Sequence, residues 1–72
     1  MTFISKPEQY GLNRRNARHT KAGVAYIAGP DRNEPAVCIF RGNFVLSLLP
    51  VADALRLSNQ IVDAAEKHEV HA

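Results

Sequence analysis

A chain of 72 residues with 9 Lys plus Arg, 7 Asp plus Glu and a formal net charge of +2 makes one small domain. That length lies near the lower limit of what a single apolar core stabilises alone. Its lone cysteine, Cys38, excludes an internal disulfide, and no apolar run approaches the ~18 residues of a membrane helix.

Charge is polarised along the chain. Residues 1–22 set Lys6, Arg14, Arg15, Arg18 and Lys21 against Glu8, whereas residues 50–72 set Arg56 and Lys67 against Asp53, Asp63, Glu66 and Glu69. The front is basic and the tail acidic. The opening MTFISKPEQ lacks the charged-then-apolar order of a signal peptide, and a lone cysteine suits a reducing compartment. A soluble, cytoplasmic protein is expected.

Residues 1–21 are expected to form a basic N-terminal extension, in which TFIS could add a short edge strand. PEQYGLNRRNARHTK shows no clean period and carries Gly11 inside any helix drawn through it. Arg14, Arg15, Arg18, His19 and Lys21, interleaved with Asn13, Asn16 and Thr20, are residue types that contact phosphates and base edges. A basic arm of this kind could follow a nucleic-acid backbone or enter a minor groove. The alternatives are a solvated segment or a contact to an acidic protein surface. An overall charge of +2 is low for a nucleic-acid domain, which favours the protein partner.

Three strand candidates follow: AGVAYIA (22–28), AVCIFR (36–41) and FVLSLL (44–49). GPDRNEP, dense in turn formers, separates the first two. Gly42-Asn43, residues suited to positive φ, joins the second and third as a tight hairpin. Alternation places Val24, Tyr26, Val37, Ile39, Phe44, Leu46 and Leu48 on one face of the sheet. Ala25, Ile27, Cys38, Phe40, Val45 and Leu49 fall on the other, with Ser47 as its polar member. Both faces are apolar, although a small sheet under one helix should be polar outside. Either residues 1–21 cover the second face, through Phe3, Ile4, Tyr10 and Leu12, or another subunit does.

The stretch 50–67, PVADALRLSNQIVDAAEK, reads as an amphipathic helix with Pro50 at its first position. Val51, Ala54, Leu55, Ser58, Ile61, Val62 and Ala65 share a face, which Leu57 and Ala64 widen. Asp53, Arg56, Gln60, Asp63 and Lys67 lie opposite. Asp53 suits the helix dipole, Asp63 and Lys67 are spaced as an ion pair, and Leu49 cannot cap the free amides. Residues 68–72 form a frayed tail.

The architecture expected is therefore α+β. A three-stranded antiparallel meander and a C-terminal helix (β-β-β-α, 22–67) follow a basic extension.

Chemistry is sparse. His68 and His71 bracket Glu69 at a spacing that chelates on a helix, but they lie in the tail and no second ligand pair exists, so no metal site is expected. Cys38 between Val37 and Ile39 reads as a buried, inert thiol. The phosphate loops GxGxxG and GxxxxGK[ST] are missing, Gly29-Pro30-Asp31 is turn chemistry, and no nucleophile has a base beside it. Neither a cofactor nor an enzyme is expected. Tyr26, Phe40 and Phe44 could stack bases, but packing is the commoner use of such side chains.

FVLSLLPVADALRLSNQIVDAAE, residues 44–66, resembles a recurring ending of small uncharacterised proteins of actinobacteria and their phages. In those a strand runs through Leu-Thr-Pro into an Ala/Leu-rich helix; Leu49 stands here at the Thr position. The resemblance implies a bacterial or phage setting. The β-β-β-α order behind a basic segment is also similar to the arm-site DNA-binding domains of tyrosine recombinases, whose sheet face is polar and basic, whereas this one carries only Arg41.

These features point to a small non-enzymatic regulatory or interaction protein that homodimerises through apolar surface. Ile27, Phe40 and Val45 on the sheet, or Leu57, Ile61 and Ala64 on the helix, are the candidate contacts. The basic segment Arg14, Arg15, Arg18, His19 and Lys21 would meet a protein partner; the alternative is DNA or RNA.

Overall fold

The computed structural model describes residues 2–70. A 3-10 turn at Pro7–Gln9 leads into α1 (Tyr10–His19), and three strands follow: β1 (Thr20–Ala28), β2 (Asn33–Arg41) and β3 (Phe44–Pro50). They pair antiparallel in the order β1-β2-β3, and α2 (Val51–Val70) follows directly. This is the expected α+β arrangement, with a helix ahead of the sheet. No helix among the described residues is long and apolar enough to cross a membrane.

Two glycines make the hairpins possible. The Gly29 N–H donates to the Arg32 carbonyl at 3.1 Å, closing the first turn. A β-carbon on residue 29 would stand 2.7 Å from that carbonyl oxygen, so the turn admits glycine alone without moving backbone. At the second turn Gly42 adopts φ +58 while Asn43 does not go positive. A positive φ at the first central residue only is the type II′ pattern, which matches the twist of the flanking strands.

Register corrects the expected faces. β2 and β3 pair Arg41 with Phe44 and Phe40 with Val45, then shift, so that Ile39 meets Ser47, Cys38 meets Leu48 and Val37 meets Leu49. Leu46 is the extra residue. A β-bulge inverts the alternation beyond it. Leu48 therefore joins Cys38 and Phe40, whereas Ser47 and Leu49 join Val24, Val37 and Ile39, the reverse of simple alternation.

The N-terminal segment differs more. Residues 2–6 form no strand, and the basic stretch is helical rather than an extended arm. Pro7 opens the preceding turn, where the Gln9 N–H donates to the Lys6 carbonyl at 3.0 Å. Arg18 and His19 occupy the last turn of α1, where positive charge suits the dipole. Thr20 then ends the helix and begins the strand with no loop between. Its backbone N–H donates to the Ala17 carbonyl, and its Oγ1 donates to the Asn16 carbonyl at 2.6 Å.

At the other junction Pro50 closes β3 and α2 starts at Val51, one residue later than expected. Among the described residues the one ion pair is Arg56–Asp53 at 3.5 Å; Asp63 and Lys67 do not close theirs.

Packing is thin. Ala36, at the centre of β2, is the one buried core residue among those described, at 5% exposure. Around it Gly23, Ala25, Ile27, Cys38 and Phe40 are half-buried on the same face. α2 turns back on β2 and β3, where its Asp53, Ala54 and Leu57 are half-buried. From Ser58 to His68 every residue of α2 is exposed, so the outer half of the helix runs past the sheet. The radius of gyration is 15.3 Å, with extents of 48 × 27 × 19 Å. A compact chain of this length would have a radius of gyration of about 11 Å.

Candidate interaction surfaces

The strands place Val24 and Tyr26 beside one another on the face that α2 leaves bare, at 90% and 61% exposure. Their cross-strand partners are Val37 and Pro35. With Ala22 and Val51 these side chains line a shallow apolar depression of about 470 Å³. Val51 touches its rim, but neither residues 2–21 nor the rest of α2 cover Val24 and Tyr26, so the first of the two covers the sequence allowed is not used.

A second apolar surface runs along α2. Val51, Leu55, Ile61 and Val62 are all exposed. The expected stripe divides: its Ala54 and Leu57, with Asp53, are half-buried where α2 meets the sheet, and the rest of it stays in water.

α1 supplies the third surface. Successive residues turn through about 100°, so a basic cluster read as one patch in sequence divides between two sides. Tyr10, Asn13, Arg14, Ala17 and Arg18 line one side and, with Ser5, form an open groove of about 340 Å³. The Arg14 guanidinium lies 5.7 Å from the Tyr10 ring centroid, a cation–π contact that steadies both. Leu12, Arg15 and His19 fall on the other side at i, i+3 and i+7. Lys21 is in β1 opposite Phe40, separated from both.

The expected dimer residues divide in the same way. Ile27, Phe40 and Leu57 are half-buried within the chain's own small core, whereas Val45, Ile61 and Ala64 are open. Alternation pointed to two apolar faces but could not say that Val24 and Tyr26 form the bare one. The groove on α1 left no periodic signal, since α1 buries nothing.

Cys38 is half-buried rather than buried. Among the described residues no three His, Cys, Asp or Glu side chains gather as a metal site. His71 and the side chain of Glu69 lie outside the described residues. The arrangement offers shape, apolar area and fixed positive charge. No family model, curated protein or solved structure matches the chain.

Proposed function

We propose that this chain is a small non-enzymatic interaction protein that acts as a homodimer and uses its basic helix to engage a further partner. The observation that carries this reading is surface area. The chain exposes 6572 Å² at a mass of 8.0 kDa. A compact monomer of that mass exposes about 4,500 Å², leaving an excess of about 2,100 Å² per chain. Obligate subunit interfaces bury roughly 1,000–2,500 Å² per partner and resemble a divided core. One buried residue cannot offset an ordering cost of ~1–2 kcal/mol per residue, so a second subunit is what supplies the missing burial. The bare sheet face at Val24 and Tyr26 is the natural centre of that contact.

The partner beyond the dimer is an acidic protein surface, met by Arg15 and His19 on the outer side of α1. A nucleic acid is the second reading. It is favoured by one observation: Arg14, Arg15 and Arg18 are all exposed on a helix that rests mainly on the turn before it. Phosphate binding of that kind weakens steeply with salt.

Light scattering over a dilution series, with and without a short mixed-sequence duplex, tests both. A mass of about twice 8.0 kDa supports the dimer, and a single-chain mass at every concentration overturns it. A salt-sensitive gain in mass with the duplex promotes the nucleic-acid reading.

A further inference from the structure

Among the described residues two elements do not pack on the sheet: α1, which rests mainly on the turn before it, and the half of α2 beyond Ser58. Their chemistry is complementary. The α1 groove presents Tyr10 and Ala17 beside Arg14 and Arg18. The outer half of α2 presents exposed Ile61 and Val62 with Glu66 four residues past Val62, on the same side of the helix. Their lengths also fit. Ten residues of α1 span about 15 Å, and the free part of α2 covers at least as much.

We infer that the α1 groove receives the outer half of α2 from a second copy of this chain, with Arg14 and Arg18 facing Glu66 and Val62 seated against Tyr10 and Ala17. This rests on the dimer reading and specifies its geometry. The contact is reciprocal: α1 of each copy grips α2 of the other, which is what two-fold symmetry requires. It covers apolar side chains that the monomer leaves in water, and it sets the basic front of one chain against the acidic tail of the other. Pairing α2 with α2 would instead bring two acidic helix halves, each carrying Asp63 and Glu66, together.

Charge exchange separates these arrangements. Arg18 and Glu66 are exposed and take part in no ion pair among the described residues, so reversing either leaves the chain's own fold intact, as circular dichroism would verify. Arg18→Glu and Glu66→Arg, made singly, should each raise the dimer dissociation constant about tenfold, and the two together should restore it to within about threefold. Single variants that dimerise like the parent overturn the inference while leaving the dimer standing. A parent chain that is monomeric removes the dimer itself. As an independent readout, Ala17→Cys and Val62→Cys chains, each carrying Cys38→Ser, should form a mixed disulfide when combined under oxidation. Failure to cross-link from an intact dimer would place the two helices apart.

Discussion

The ring of Phe40 lies across Gly23, with its Cε1 3.5 Å from where a β-carbon on residue 23 would stand. The two residues are diagonal neighbours on adjacent strands, Gly23 opposite Cys38 and Lys21 opposite Phe40. A methyl group fits at that distance and a branched side chain does not. Gly23→Ala should raise stability by about 0.5 kcal/mol through the unfolded chain, with an unchanged or higher melting temperature. Gly23→Val should displace the ring and lower it. Equal melting curves for the two variants would show that Phe40 does not rest there.

Gly29→Ala is expected to cost about 1–3 kcal/mol, because the new methyl would meet the Arg32 carbonyl at 2.7 Å and the first hairpin must open. A chemical-denaturation midpoint like the parent's would rule out the turn as drawn.

The Thr20 hydroxyl ties the end of α1 to the start of β1. Thr20→Val keeps shape and loses the bond to the Asn16 carbonyl, so a loss of about 0.5–1 kcal/mol is expected, while Thr20→Ser should stay near the parent. Thermal melts of the two variants at one protein concentration measure the difference.

Val24 is the cleanest probe of the bare sheet face, since it touches almost nothing in its own chain. Val24→Asp should reduce the native mass to that of one chain, whereas Asn43→Asp, in the exposed turn between β2 and β3, should leave it alone. A Val24→Asp protein of unchanged mass would move the subunit contact elsewhere. Phe40→Asp is a poorer test, because Phe40 is half-buried within the chain and its loss would also disturb the sheet.

On the outer side of α1, Arg15→Ala with His19→Ala should leave the melting temperature and dimer mass unchanged, since neither side chain packs. Capture of an acidic partner, or salt-sensitive duplex binding, should weaken. Ligand binding that persists would assign it to another face.

The strands, the tight hairpin and α2 are legible in the sequence because each leaves a period or a turn signature. The bulge is not, and the reason lies in FVLSLL itself: with apolar residues in both phases, inserting one residue exchanges Leu48 for Leu49 at no cost in burial. α1 is hidden for a different reason. Gly11, Asn13 and Asn16 are weak helix formers, and a helix that buries nothing in its own chain has no apolar stripe to betray it. The arginines were visible as residues; their division between two sides becomes visible only once the segment is known to be helical.

The missing loop between α1 and β1 has a mechanical consequence. Hydrogen bonds run unbroken from Asn16 and Ala17 through Thr20 into the strand ladder, so α1 cannot swivel without disturbing Lys21 and Ala22. In the proposed dimer, a tilt of α1 would therefore pull on the β1 edge of the sheet, coupling the contact at the helix to the contact at Val24 and Tyr26.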